Sequence, residues 1–180
     1  VNRNDQLIAS IAAEWAEHDA SGVIRWSDKI EDAQLRESVM AAVSRAMAET
    51  DPVAAATLAV REIAADRVLN DTVLAVVQRW AQSQPGAAAQ WVDSFPEGDL
   101  RQSATMELGG LWARQRPAEL EAWLNTLPIG PRRDEWVGWF ADRLAGLAPE
   151  IALDGAESIS NPESRARQAE AATRARPIEK

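Results

Sequence analysis

Two stretches of seventeen residues constrain this chain more than anything else in it. Trp80 to Pro96 reads WAQSQPGAAAQWVDSFP, and Trp112 to Pro128 reads WARQRPAELEAWLNTLP. They lie 32 residues apart and agree at five positions: the two tryptophans, the alanine after the first, and the two prolines. A chain that repeats its bulkiest and stiffest residues at a fixed interval, while changing nearly everything between them, is repeating a packing unit.

The interval extends beyond these two copies. A register pair recurs as Asp19-Ala20, Asp51-Pro52, Gln84-Pro85, Arg116-Pro117 and Ala148-Pro149, at spacings of 32, 33, 32 and 32 residues. Five positions before the second member stand Trp15, Met47, Trp80, Trp112 and Leu144; six positions after it stand Trp26, Leu58, Trp91, Trp123 and Gly155. Ten positions after come Ile30, Phe95, Leu127 and Ile159, with Ile63 one place late in the 33-residue unit. Sixteen positions after, four of the five units carry an arginine: Arg36, Arg101, Arg133 and Arg165.

Each unit resolves into two helices. Proline is favoured in the first turn, where its missing N–H costs nothing, and Asp19 or Asp51 can cap the free amides. A short helix therefore starts near residues 20, 52, 85, 117 and 149 and runs ten to twelve residues. Phe95-Pro96 and Leu127-Pro128 stop it, since proline disfavours helix in the residue before it, and Gly98 or Gly130 marks the turn. A longer helix follows at about 33–49, 67–83, 99–115, 131–146 and 162–175. Residues 4–18 match the end of another long helix, orphaned from a preceding unit. The expected units are 19–50, 51–83, 84–115, 116–147 and 148–180, in one domain.

Composition agrees. The chain has 35 alanines, 8 tryptophans, 2 phenylalanines, no tyrosine and no cysteine. Alanine is the best helix former and tryptophan the largest filler, and no alternating run of β-branched residues suggests a strand. The class is all-α. A helix pair cannot bury its apolar stripe alone, so each unit needs neighbours. Trp91 and Trp123 are expected to fill seams between pairs, and Trp80 and Trp112 the junctions to the next short helix. Burying each ring contributes ~2–3 kcal/mol. On this reading Trp91→Ala or Trp123→Ala costs ~3–5 kcal/mol, and alanine at Gln90 or Asp93 changes stability by under ~0.5 kcal/mol.

The proline followed six residues later by tryptophan, as in Pro85…Trp91 and Pro117…Trp123, resembles the tetratricopeptide-like family of αα-solenoids over nearly the whole chain. The period is slightly short for that family, the first helix is cut short by Pro96 or Pro128, and the family's tyrosine is absent. The chain is also similar to bacterial arrays with a WA-x-x-DP-x-A-A-x-x-W-x-x-x-LP repeat. The resemblance implies a right-handed αα-superhelix of about five two-helix repeats and a binding role. It carries over no catalytic residue.

Charge and motifs narrow the functional classes. A net charge of −9 disfavours nucleic acid, whose backbone needs a concentrated basic face. No apolar run approaches the ~20 residues of a membrane span, and no cofactor is implied. Without cysteine there is neither a disulfide framework nor a thiolate nucleophile. Val1 stands where a Met would open a chain, so an upstream segment is expected, be it targeting signal, anchor or further repeats. The compartment stays open.

The single histidine, His18, sits at the variable position before the register pair and is expected to be exposed or capping; the alternative is half of a proton-transfer pair with Asp19. Ala20-Ser21-Gly22 reads as a loop without the glycines of a nucleophile elbow. Gly109-Gly110 falls inside a long helix, where close approach of a neighbouring helix is expected. The register arginines sit at helix starts against the helix dipole, which calls for a carboxylate or carbonyl partner from the adjacent unit. A ladder of anion-binding sites is the rival reading.

Two classes of residue are candidates for binding a protein or peptide. The short helices of such a superhelix line its concave face, and their solvent-side positions are Arg25, Asp28, Thr57, Arg61, Gln90, Asp93, Glu121 and Asn125. Trp136 and Trp139, outside the register and three apart on one helix, either enlarge a local core or form an exposed aromatic anchor. The expected function is a non-catalytic binding scaffold. The alternatives are a spacer in a larger bacterial surface or envelope protein and, third, an enzyme.

Overall fold

Local chemistry sets the helix starts. In the computed structural model, which describes residues 3–64, 66–144 and 149–174, the short helix α3 (Pro52–Glu62) opens on Pro52, and the Asp51 carboxylate accepts the Ala54 N–H at 2.9 Å. The other short helices α5 (Pro85–Asp93), α7 (Pro117–Leu124) and α9 (Pro149–Glu157) also open on proline. The long helix α2 (Ala33–Met47) is capped by Asp32, which accepts from Gln34 and Leu35, and α10 (Pro162–Arg174) by Asn161, which accepts from Glu163 and Ser164. The remaining long helices are α4 (Asp66–Ser83), α6 (Asp99–Gln115) and α8 (Pro131–Leu144). Gly98, just before α6, adopts φ of 157°, a conformation side chains resist.

The first element, α1 (Arg3–Ser27), is continuous but broken at Asp19, whose φ and ψ are −148° and 74°. The Asp19 carboxylate accepts the Gly22 N–H at 2.8 Å, so it caps a second helical segment. A Cβ on Gly22 would overlap that carboxylate. Ala20-Ser21-Gly22, expected as a loop, is instead the first turn of this segment.

The short helices α5 and α7 end earlier than expected, whereas α3, at 11 residues, has the expected length. α5 and α7 are 9 and 8 residues long because their last turns tighten before the prolines. Phe95 donates to the Val92 carbonyl and Leu127 to that of Leu124, both three residues back. Every described element is helical. Ala148 of the fifth register pair lies outside the described residues, as does the side chain of Leu144.

The chain divides into two compact units: Val1–Ala88 with Gly98–Leu100, and Ala89–Glu97 with Arg101–Lys180. In the first, α2 packs on α1, α3 and α4, and α3 on α4. In the second, α8 packs on α7, α9 and α10, and α9 on α10. A long helix thus has the same kinds of neighbour in each: a short helix before it, a short helix after it and the next long helix. Each unit is all-α among its described residues and compatible with a helical-repeat fold.

Burial recurs at the sequence interval. Val39, Thr72, Ala104 and Trp136 occupy one register position on α2, α4, α6 and α8, and each is at most 1% exposed. Val43, Val76, Leu108 and Phe140 occupy another with the same burial. Ala16, Ala48, Ala81 and Ala113 hold a third, at 6% or less. Residue size varies while burial does not, so neighbours compensate. Gly155 stands where the other units carry tryptophan or leucine, and a Cβ there would meet the Phe140 ring at 3.7 Å. Phe140, largest at its position, fills the space the missing anchor leaves.

The tryptophans are buried unequally. Trp80 and Trp112 are 4% and 2% exposed, whereas Trp91 and Trp123 are half-buried and Trp15 is 41% exposed. Trp91 stacks edge-on against Phe95 with ring centres 4.8 Å apart, at the end of its short helix. Trp123 lies between Trp112 and Trp136, 5.2 Å from each. The deepest tryptophan is Trp136, at 1%, which is expected outside the register but shares the position of Val39, Thr72 and Ala104.

Candidate functional site

The second unit contains a groove of ≈ 470 Å³ along three successive long helices: α6, α8 and α10. Its buried wall comes from Thr105, Gly138 and Ile159, and its exposed edge from Met106, Glu135 and Arg167, with Trp139 half-buried in between. A glycine-to-aromatic fit sets the depth. A Cβ on Gly109 would overlap the Trp139 ring, so the absent side chain of Gly109 is what lets that ring lie against α6. The close approach expected at Gly109-Gly110 is therefore made by a side chain.

Ion pairs fix the helix ends beside the groove. Glu135 accepts from Arg101 at 3.1 Å and from Arg132 at 3.3 Å, and Arg132 also pairs with Asp93. Asp134 accepts from the Ser160 hydroxyl and from the Ser160 and Asn161 N–H groups at 2.8 and 3.1 Å. Desolvation acts to raise its pKa, but these hydrogen bonds and the Arg133 charge outweigh it and hold the carboxyl below the usual aspartate value. Arg167 is exposed and makes no ion pair among the described residues.

The first unit carries a counterpart of ≈ 400 Å³ along α1, α2 and α4, lined by Ala9, Ala41 and Ala42 with Arg45 and Asp71. Alanines, Ala9 and Ala42, stand where the second groove has Met106 and Trp139, so no large side chain projects at those two positions. Desolvation lowers the Arg45 pKa, opposed by the Asp71 charge, and its guanidinium donates to Thr72 Oγ1 at 3.3 Å.

Both grooves follow long helices, whereas the sequence places most docking candidates on the short ones and only Trp136 and Trp139 on a long one. Arg25, Asp28, Thr57 and Arg61 fall in the first unit; Gln90, Asp93, Glu121, Asn125, Trp136 and Trp139 fall in the second. Arg25 and Gln90 are exposed, and Glu121 is half-buried. Arg61 pairs with its neighbour Glu62 at 2.7 Å, Asp28 lies 3.5 Å from Arg36, and Thr57 donates to the Val53 carbonyl. Asn125 Oδ1 accepts from Arg133 at 3.5 Å.

Two candidates change role. Trp136 is core, which removes it from any docking surface. Asp93, expected at the solvent face, is half-buried and accepts the Trp136 indole N–H at 3.0 Å beside its pair with Arg132. A buried indole needs a hydrogen-bond partner, and Asp93 supplies it. Trp139 lines the groove.

The register arginines have internal partners. Arg36 reaches Glu62 at 2.6 Å, Arg101 reaches Glu135, and Arg133 donates to the Ser158 carbonyl at 2.8 Å and to the Leu124 carbonyl at 3.3 Å. The first two partners, and Ser158, belong to the following 32-residue segment. Arg165 turns back to the Ile159 and Ser160 carbonyls of its own segment. These contacts engage each of the four guanidinium groups inside the chain.

Sequence reasoning passed over Glu37 and Asp134. Glu37 accepts the Ala64 N–H at 3.2 Å, the counterpart of the Asp134 contact to Ser160 and Asn161. The available signal was an acidic residue directly after a register arginine, in Arg36-Glu37 and Arg133-Asp134.

His18 is exposed, with Nδ1 3.4 Å from the Glu14 carbonyl, while Asp19 is engaged as a cap. Among the described residues no group of three or more His, Asp or Glu is placed to hold a metal ion, and no helix is long and apolar enough to cross a membrane. No family model, no curated protein and no solved structure matches this chain.

Proposed function

We propose that the chain is a non-catalytic scaffold that holds a protein or peptide segment, built as a tetratricopeptide-like, right-handed αα-superhelix of about five repeats. One observation carries the reading: Trp139 and Met106 line a groove edged by Arg167. Apolar area beside a polar rim is the composition of a recognition site. An unengaged guanidinium next to an aromatic ring favours a segment with a large apolar side chain close to a carboxylate. Recurring arginine contacts between neighbouring segments and recurring burial support the repeat architecture.

Selection of a random peptide display library on the immobilised domain tests this. The expected outcome is an enriched apolar-acidic motif whose binding is lost with Met106→Glu and with Arg167→Glu. Gln90→Ala and Glu121→Ala leave it intact. Peptides lost only with the latter pair would move the site to the short helices. A spacer with no ligand of its own would enrich nothing.

A further inference from the structure

The first long-helix segment exposes positions that α2, α4, α6 and α8 bury. By the repeat interval, Leu7 corresponds to Val39, Thr72, Ala104 and Trp136, Ile11 to Val43, Val76, Leu108 and Phe140, and Trp15 to Met47, Trp80 and Trp112. Leu7, Ile11 and Trp15 are 60%, 57% and 41% exposed; their counterparts are at most 4% exposed, apart from the half-buried Met47. The opposite face of the same segment is ordinary. Ala12 and Ala16 are buried, like Ser44, Val77 and Gly109 and like Ala48, Ala81 and Ala113 at the matching positions. One face of residues 3–18 is therefore packed on α2, and the other, spaced four residues apart along a helix, is a core face without a cover.

The later repeats show what covers that face. In the second unit, Trp123 of the short helix α7 meets Trp136 of α8 edge-on, with ring centres 5.2 Å apart. Trp136 is the counterpart of Leu7. In the first unit, the cover for α2 is the capped second segment of α1, whose buried Val23 and partly buried Trp26 share one core cluster with Val39 and Val43. Along the same face Trp15 has a neighbour at one end, with the Trp26 ring centre 6.1 Å away. Leu7 and Ile11 lie at the uncovered end.

We infer that Leu7, Ile11 and Trp15 are the docking face for the short helix of one further repeat. The occupant is a helix of two to three turns that opens on proline and carries tryptophan or leucine six residues later, set so that this residue lands on Leu7. Continuity with the α7–α8 interface fixes both its direction and its register. The inference is independent of the groove at Trp139.

The test places a copy of residues 116–130 directly ahead of Asn2, which reproduces the α7-to-α8 register in front of α1. Stacking one more helix on a repeat core adds an interface, so Tm rises by about 4 °C or more, and fluorescence quenching of Trp15 by acrylamide falls relative to the unextended chain. Serine at the added copy's tryptophan removes both effects. So does Leu7→Glu, a change at an exposed position that leaves the unextended chain folded. Equal Tm for the tryptophan and serine extensions would overturn the inference. So would a concentration-dependent dimer of the unextended chain that Leu7→Glu and Ile11→Glu dissociate, because a second copy would then be the occupant.

Discussion

Replacing Asp93 with alanine separates the structure from the simple repeat reading. As a solvent-side residue of a short helix, Asp93 would tolerate the change within ~0.5 kcal/mol. In the structure its carboxylate is the acceptor for the indole N–H of Trp136, a ring 1% exposed. Removing the acceptor strands a buried donor, at a cost of ~1–3 kcal/mol. Loss of the pair with Arg132 adds ~0.2–1 kcal/mol, since both side chains retain some exposure, 22% and 29%. The expected total is about 1.2–4 kcal/mol. Urea unfolding of wild type, Asp93→Ala, Trp136→Phe and the double variant closes a cycle. Phenylalanine keeps a ring but has no N–H to strand. In that background Asp93→Ala should cost no more than ~1 kcal/mol, and Gln90→Ala, at an exposed position, should stay within ~0.5 kcal/mol. Equal costs for Asp93→Ala in both backgrounds, or a cost as small as that of Gln90→Ala, would refute the reasoning.

Three further outcomes follow from the packing and the charges. Trp136→Ala should cost ~3–5 kcal/mol by leaving a cavity, and the half-buried Trp91→Ala distinctly less; calorimetry in which Trp91→Ala is the worse of the two would contradict the burial order. Gly109→Ala should destabilise by ~1–3 kcal/mol by driving a methyl into the Trp139 ring, and the near-ultraviolet circular dichroism should change with it, whereas an unchanged spectrum and stability would mean the ring does not lie there. Asp134 has a lowered folded-state pKa, so its contribution is present above the unfolded value of about 3.9 and is lost as pH falls through the folded value. The stability gap between wild type and Asp134→Asn should be constant above about pH 5 and shrink below about pH 4; a gap that widens on acidification would reverse the sign.

The helices were legible in the sequence wherever their signals are local. Proline in the first turn and a carboxylate before it act within one turn, which is why α3 opens at Pro52 behind the Asp51 cap and α5 and α7 open at Pro85 and Pro117, as expected. The register arginines were legible for a related reason: their contacts repeat, so a position set against the helix dipole announced a partner. Asp93 was not legible. Its partners Arg132 and Trp136 lie 39 and 43 residues away, and Trp136 stands where other units carry valine, threonine or alanine, so the contact occurs once. The groove was legible only in part: Trp139 and Gly109-Gly110 stood out singly, but the other docking candidates were assigned by resemblance to the short helices. The feature that shapes it is a glycine on α6 opposite a tryptophan on α8, two residues the repeat pattern does not mark.

Docking of a peptide segment on Trp139 is the step on which the proposed function rests. Fluorine NMR of the chain labelled with 5-fluorotryptophan, with Trp139 assigned through Trp139→Phe, reads that contact directly. On titration with a peptide from the display selection, the Trp139 signal should shift while those of the buried Trp80 and Trp112 stay in place. A bound peptide that leaves the Trp139 signal unmoved would contradict it.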